Sequence, residues 1–238
     1  MTITIPKVIG HRGAAGYAPE NTLASLRKAA ELGTRWVELD VMLSQDEVPI
    51  LMHDDTLNRT TNGQGPTSKK TLSDLKTLDA GSWFDESFAG EAVPTLIEAL
   101  ALTELLGIGC NVEVKPVPGN HAKIAGAVTE VINGSKTSVA ILISSFSGAV
   151  IESLYRDLSE TPRALLVDKI PDDWRSKLQE WDCVSLNCNR KHLTQEHAKT
   201  IKRAGYQLLC YTVNEPESAA SLFGWGVDTV FSDYPDRV

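Results

Sequence analysis

Short apolar runs recur along the chain, each followed by a stretch with apolar residues at helical spacing. That alternation is the signature of repeated βα units around a parallel sheet. Eight such runs begin near Lys7 (KVIG), Trp36 (WVELDV), Cys110 (CNVEV), Val139 (VAILISSF), Pro162 (PRALLV), Cys183 (CVSLN), Gln207 (QLLCYTV) and Asp228 (DTVFS). The intervening segments carry helix punctuation: Asn21 reads as the N-cap of TLASLRKAAEL with Gly33 beyond its last turn, and Gly205 follows HAKTIKRA. Eight units in 238 residues predict a (β/α)8 TIM barrel occupying 1–238 as a single domain. An open doubly wound sheet is the alternative, but no G-x-G-x-x-G follows the first strand.

One unit is abnormal, because the second and third runs are separated by a long intervening stretch. Directly after WVELDVML come SQDE and VPILMHD, too close for a crossover helix, so 48–53 reads as the return arm of a hairpin turning at Asp46-Glu47. The remainder, about 54–94, is rich in Thr, Gly, Ser and Asp with a short helical piece at SDLKTLD, a composition that suits a small cap over the barrel mouth. Within it Arg59 and Asn62 are expected to order the loop, and Trp83 and Phe84 to form a small core rather than the lip of a pocket.

Polar residues interrupt the strands in a regular way. In WVELDV, Val37, Leu39 and Val41 fall on one face and Glu38 and Asp40 on the other; in CNVEVK, Val112 and Val114 oppose Glu113 and Lys115. If the valines and leucine pack under the helices, three carboxylates point into the barrel, where unpaired ionised groups are costly without a cation. An exposed edge strand with a wet polar face is the bland alternative; a strand this early in a βα series should be covered on both sides. An all-oxygen donor set suits one hard divalent cation, Mg²⁺ or Ca²⁺, better than zinc. His11 ends the first strand and His53 ends the hairpin arm, beside these carboxylates, where imidazoles can share general acid and base work. Arg12 and Lys115 add positive charge that can grip phosphate oxygens or neutralise the acids. The residues alone reach metal-assisted chemistry on a phosphate ester.

Composition narrows the picture by exclusion. A net charge of -8 argues against nucleic acid and anionic lipid surfaces as partners, since either needs a basic face. No apolar run approaches the roughly 20 residues that cross a bilayer, so no stable membrane association and a cytoplasmic location are expected. The four cysteines lack C-x-x-C spacing, and buried free thiols are expected rather than disulfides or zinc ligands.

The run HRGAAGYAPENTLASLRKAAELGTRWVELDVMLSQDEVPILMHDDTLNRTTNGQG closely resembles the glycerophosphodiester phosphodiesterases, specifically the bacterial cytoplasmic type. So do EVK at 113–115, ISSF at 143–146, YTVN at 211–214 and the tail GVDTVFSDYPD. H-R-G…P-E-N-T, E-x-D-V and H-D-x-T-L-x-R-T-T-x-G together are specific, and the likeness spans nearly the whole chain in order. It implies a TIM barrel with an inserted cap that hydrolyses deacylated phospholipids, such as glycerophosphocholine or glycerophosphoethanolamine, to sn-glycerol 3-phosphate and an alcohol. Carried over by position, it implies that Glu38, Asp40 and Glu113 bind the cation, that His11 and His53 are the acid/base pair, and that Arg12 and Lys115 hold the phosphate. By similarity with phosphatidylinositol-specific phospholipases C, the glycerol 2-hydroxyl or water could attack phosphorus, and both routes stay open. Many relatives have tryptophan where this chain has Tyr211; Tyr211 and Phe146 are candidates for an aromatic substrate wall, with a plain core role equally open for Phe146. Monomer and dimer are both compatible with the sequence. A metal-dependent sugar isomerase or aldolase on the same barrel would not need the arginine beside His11, and a non-catalytic descendant would be expected to have lost one of the seven rim residues.

Overall fold

The computed structural model describes residues 3–116, 119, 121–135 and 137–238. Strand β1 is Val8–Gly10, β2 Trp36–Leu43, β3 Pro49–Leu51, β4 Gly109–Val114, β5 Ile141–Ser145, β6 Arg163–Val167, β7 Ser185–Asn189, β8 Gln207–Tyr211 and β9 Thr229–Ser232. Eight of these are parallel neighbours in the order β1-β9-β8-β7-β6-β5-β4-β2, and the pairing of Gly10 with Val37 joins β1 to β2 and closes the barrel. β3 lies outside this circuit, antiparallel to β2 with Val41 opposite Leu51 and Met42 opposite Ile50, so the hairpin arm forms as its spacing predicts.

Helices α1 (Leu23–Glu31), α3 (Leu96–Leu106), α4 (His121–Ser135), α5 (Gly148–Asp157), α6 (Trp174–Glu180), α7 (Gln195–Arg203) and α8 (Pro216–Trp225) run between the barrel strands, while α2 (Leu72–Leu75) is the short helical piece of the inserted stretch. β9, the last barrel strand, is followed by no helix among the described residues, a small departure from eight complete units.

The alternation in β2 and β4 does what the pattern predicts. Val37, Leu39, Val41, Val112 and Val114 are fully buried in one cluster with Leu26 and Ala29 of α1 and Leu96, Ala99 and Leu100 of α3. Every residue of β2 is buried and the strand has neighbours on both edges, which removes the wet edge-strand reading. Inside the barrel, Ile9, Trp36, Leu142, Ala164, Leu209 and Phe231 fill the lower part. Trp36 plugs the floor against Gly109, where a β-carbon would lie 2.5 Å from the indole, so only glycine fits. With apolar side chains filling much of the lower layer, the inward carboxylates of β2 and β4 stand toward the C-terminal end of the barrel, the end at which barrel enzymes build their sites.

Residues 54–94 pack on the β2–β3 hairpin through Met42, Ile50, Met52, Leu57, Leu75, Ala80 and Val93. Asn62 exchanges hydrogen bonds with Asp79, as an ordering role requires. Trp83, Phe84 and Phe88 stack edge to face in sequence and do not line the central cleft. All four cysteines are buried and free.

Candidate active site

The first strand ends in a tight turn that sets up the site. A β-carbon on Gly13, at φ +90°, would come within 2.3 Å of Ser25 Oγ, and one on Gly10 would strike the Gly13 carbonyl, so glycine on both sides lets the chain double back at His11 and Arg12. Arg12 itself sits at φ 51°, a left-handed conformation uncommon for a long side chain. There its backbone N–H donates to Glu38 Oε2 at 2.9 Å.

Asn21 departs from the sequence expectation. Helix α1 is capped one residue later, by Thr22, whose backbone is extended and whose hydroxyl accepts the Ser25 N–H. Asn21 takes φ 55° and turns inward, donating to Asp40 Oδ2 at 2.8 Å and accepting from the Asp40 backbone N–H at 3.1 Å. Asparagine tolerates the left-handed region better than threonine, so the Asn-Thr pair divides the tasks: Thr22 caps and Asn21 braces Asp40.

Glu38, Asp40 and Glu113 converge from neighbouring strands, Asp40 standing opposite Glu113 in the ladder. One oxygen from each lies within 4.8 Å of the other two. Burial, with the charges of Asp40 and Glu113, drives the Glu38 carboxyl well above its ordinary range. Burial, with the charge of Asp40, pushes Glu113 up to about 7, against the pull of Lys115. Burial acts on Asp40 in the same sense but is outweighed by Arg12, Lys115, His53 and the Asn21 hydrogen bond, so Asp40 is held low and ionised. Lys115 Nζ stands 3.4 Å from both Asp40 Oδ1 and Glu113 Oε1, and Glu38 Oε1 is buried without a partner among the described residues. An all-carboxylate set with an orphaned buried oxygen fits a hard cation.

Each cleft histidine is tied to its own acid. His11 Nδ1 lies 2.7 Å from Asp233 Oδ1, and Asp233 is fixed by Asn214 Nδ2 at 2.7 Å. His53 Nδ1 lies 2.7 Å from Asp54 Oδ1. An ionised carboxylate only accepts, so Nδ1 carries the proton in both rings and Nε2 is left for chemistry. Burial, assisted by the Arg12 charge, lowers the His53 pKa despite Asp40, which favours its neutral form. Arg59 grips both Asp54 and Glu20, and Glu20 in turn holds Arg12 Nη1 at 2.7 Å. The inserted stretch thus ties His53 to Arg12 through a chain of charge-assisted hydrogen bonds. Arg12 Nε approaches Asp40 Oδ2 to 3.2 Å but lacks an aligned acceptor among the described residues.

A cleft of about 440 Å³ is lined by His11, Arg12, Glu38, His53, Glu113 and Lys115 on one side and by Phe146 and Tyr211 on the other. Asp40 sits just behind this lining, in contact with Arg12 and Lys115. Phe146 is 47% exposed and meets Tyr211 edge to face at 6.0 Å, so it is a cleft residue rather than core. The Tyr211 hydroxyl donates to the Val167 carbonyl, which fixes its ring. Sequence reasoning assigned no roles to Glu20, Asp54, Asn214 and Asp233, and read Asn21 only as a helix cap. Their signals were present as neighbours of the motifs, in P-E-N-T, H-D, YTVN and FSDYPD.

Residues 11–237 match the Glycerophosphoryl diester phosphodiesterase family. A glycerophosphodiester phosphodiesterase from Caldanaerobacter subterraneus is 33% identical over 97% of this chain and 95% of its own length, and one from Bacillus subtilis is 32% identical over 96% and 83%. The solved structure of an Oleispira antarctica phosphodiesterase in complex with the product sn-glycerol-3-phosphate superposes with a TM-score of 0.95 at 41% identity, covering 98% of this chain and 94% of that one. Barrel, inserted stretch and sequence agree from end to end: the chain belongs to the glycerophosphoryl diester phosphodiesterase family.

Proposed function

We propose that this protein hydrolyses glycerophosphodiesters, deacylated phospholipids such as glycerophosphocholine and glycerophosphoethanolamine, to sn-glycerol 3-phosphate and the free alcohol. The reading rests above all on three carboxylate oxygens within 4.8 Å of one another, flanked by two histidine–carboxylate pairs on one cleft. Glu38, Asp40 and Glu113 would hold one divalent cation, Mg²⁺ or Ca²⁺, whose contribution when bound is to stabilise negative charge building on the phosphoryl oxygens. The product-bound Oleispira antarctica relative supports the small-molecule substrate class.

In this mechanism Arg12 and Lys115 hold the two non-bridging phosphoryl oxygens, positioning phosphorus between the histidines. As water bonds to phosphorus, or the glycerol 2-hydroxyl in a first step whose cyclic phosphate water then opens, one imidazole Nε2 takes the nucleophile's proton; as the bond from phosphorus to the head-group oxygen breaks, the other ring, entering as the imidazolium, gives its Nε2 proton to that oxygen. Asp233 and Asp54 hold the Nδ1 proton of each ring, so that Nε2 is the atom that exchanges protons with the substrate. A cytoplasmic site of action accords with four free buried cysteines and with the absence, among the described residues, of a helix long and apolar enough to cross a membrane.

With Mg²⁺ or Ca²⁺ and glycerophosphocholine, the purified protein is expected to release glycerol 3-phosphate and choline, read by a coupled glycerol-3-phosphate dehydrogenase assay. Release of phosphocholine and glycerol instead would assign cleavage to the other ester bond and defeat the proposed product.

The cation site also makes a pH prediction. A carboxyl whose folded pKa is raised holds a proton that the unfolded chain has already lost, so metal-free stability falls as pH climbs from the ordinary 4.5 through the Glu113 value of about 7. A dication replaces those protons. The melting-temperature gain on adding Mg²⁺ or Ca²⁺ over an EDTA control should therefore be small at pH 5 and large at pH 8; an equal gain at both would contradict the assignment.

A further inference from the structure

Resting on the phosphodiester reading above, we propose that Arg190 and Lys191 select the alcohol half of the substrate, favouring head groups that carry a negative charge, above all a second phosphate, over choline and ethanolamine. The cleft has two chemically opposite ends. In the closed strand order, β7 and β8 stand across the barrel from β2 and β4, so the carboxylate cluster and the Arg190–Lys191 loop face each other over the mouth. Both cations line the same cleft as the catalytic candidates.

The orientation of the diester follows from the floor of the acid side. Asn111 is 1% exposed, lines the cleft, pairs in register with Glu38, and donates through Nδ2 to Ser144 Oγ at 3.0 Å. Its Oδ1 has no partner among the described residues. A buried acceptor left open beside the carboxylates suits a hydroxyl donor, and the glycerol half brings hydroxyls in every substrate of this class. With glycerol placed deep against Asn111 and phosphorus between the histidines, the variable arm extends toward β7 and β8.

The far wall offers that arm positive charge. The Arg190 backbone N–H donates to the Tyr211 carbonyl at 3.0 Å and the Lys191 N–H to Asn189 Oδ1 at 3.0 Å, so both side chains are launched from a fixed loop. Neither forms an ion pair within 4.0 Å among the described residues; Arg190 reaches only Ser218 Oγ, at 3.4 Å. The nearby carboxylate of Asp168 is engaged by Asn189 and His192, and Glu217 shares an outer groove with Arg190 and Lys191 without closing to an ion pair with either. The cleft's lining carboxylates, Glu38 and Glu113, both belong to the cation site. Two cations outside any ion pair among the described residues are, in a molecule of net charge -8, a local reversal of sign on this wall. A quaternary ammonium could lie against Phe146 and Tyr211, but that edge-to-face pair is no closed aromatic cage and its neighbours repel a cation. A guanidinium beside an ammonium matches phosphate oxygens instead.

The test compares kcat/KM on three diesters at low and physiological salt: one whose alcohol is glycerol bearing a second phosphate, neutral glycerophosphoglycerol, and glycerophosphocholine. The expected order is anionic, neutral, cationic, spanning about tenfold or more, carried in KM and compressed by salt. The double substitution Arg190→Gln, Lys191→Gln should collapse the anionic-to-choline ratio by about tenfold, while Arg190→Lys, Lys191→Arg should preserve the preference's direction. A flat or reversed order in the natural protein, or a ratio that survives the glutamine pair, overturns the proposal while leaving the phosphodiesterase reading intact. Failure to hydrolyse any of the three would remove both.

Discussion

Replacing His11 by alanine is expected to slow hydrolysis of glycerophosphodiesters by at least about 10²-fold, the usual size of an acid/base contribution, while the barrel stays folded. The imidazole lies at the cleft wall with 17% of its side chain exposed, and its one close polar partner, Asp233, keeps the hydrogen bond from Asn214 when the ring is removed. Little packing is lost, so the melting temperature should change by only a few degrees and the far-ultraviolet spectrum not at all. His53→Ala should give a loss of similar order, and the double substitution should cost much less than the product of the two, because residues acting in one proton exchange are not independent. Asp233→Asn gives a finer reading: it retains the shape, removes the charge that enforces the Nδ1–H tautomer, and should lower kcat with a displaced pH profile rather than act through KM. Near-normal turnover by His11→Ala would remove that residue from the chemistry.

That His11 could be singled out from sequence owes to the same property that made the barrel legible. Period-two alternation in WVELDV and CNVEVK needs no knowledge of distant residues: once valines and leucines take the helix-facing side, carboxylates must take the other. The strand ends were readable for the same reason, since His11 and Glu113 sit where apolar runs stop. Asn21 was misread because N-cap preference is a local statistic, and Thr22 satisfies it equally well. What decides between them is φ at each position and the presence of Asp40 within hydrogen-bond reach, both set by the turn around Gly13. The Arg59–Glu20–Arg12 chain and the His11–Asp233 pair join residues 39 and 222 positions apart, and no local pattern announces such pairings. Arg190 and Lys191 look in sequence like any solvated loop; only closure of the barrel, which sets β7 opposite β2, gives them a site to face.

Exhaustive removal of divalent ions is expected to abolish turnover, and Mg²⁺ or Ca²⁺ to restore it. Two like charges within 4.8 Å repel by about 3 kcal/mol or more at an effective dielectric constant of 20, and three carboxylates make three such pairs. Arg12 and Lys115 offset part of this repulsion, but the contacts are imperfect: Lys115 sits at 3.4 Å from its acids and Arg12 Nε approaches Asp40 without alignment. The residual imbalance is visible in the Glu38 and Glu113 carboxyls, which retain protons well above their ordinary range. Were Lys115 and Arg12 sufficient to stabilise the cluster, all three acids would be held ionised, as Asp40 alone is held. Glu113→Gln should mimic chelation, weakening cation binding by isothermal titration and lowering turnover together, because it removes a ligand charge while preserving volume. Full activity after chelation and metal-free dialysis, with elemental analysis showing no bound metal, would overturn the cation assignment and leave the stabilisation of the phosphoryl oxygens to Lys115 and Arg12.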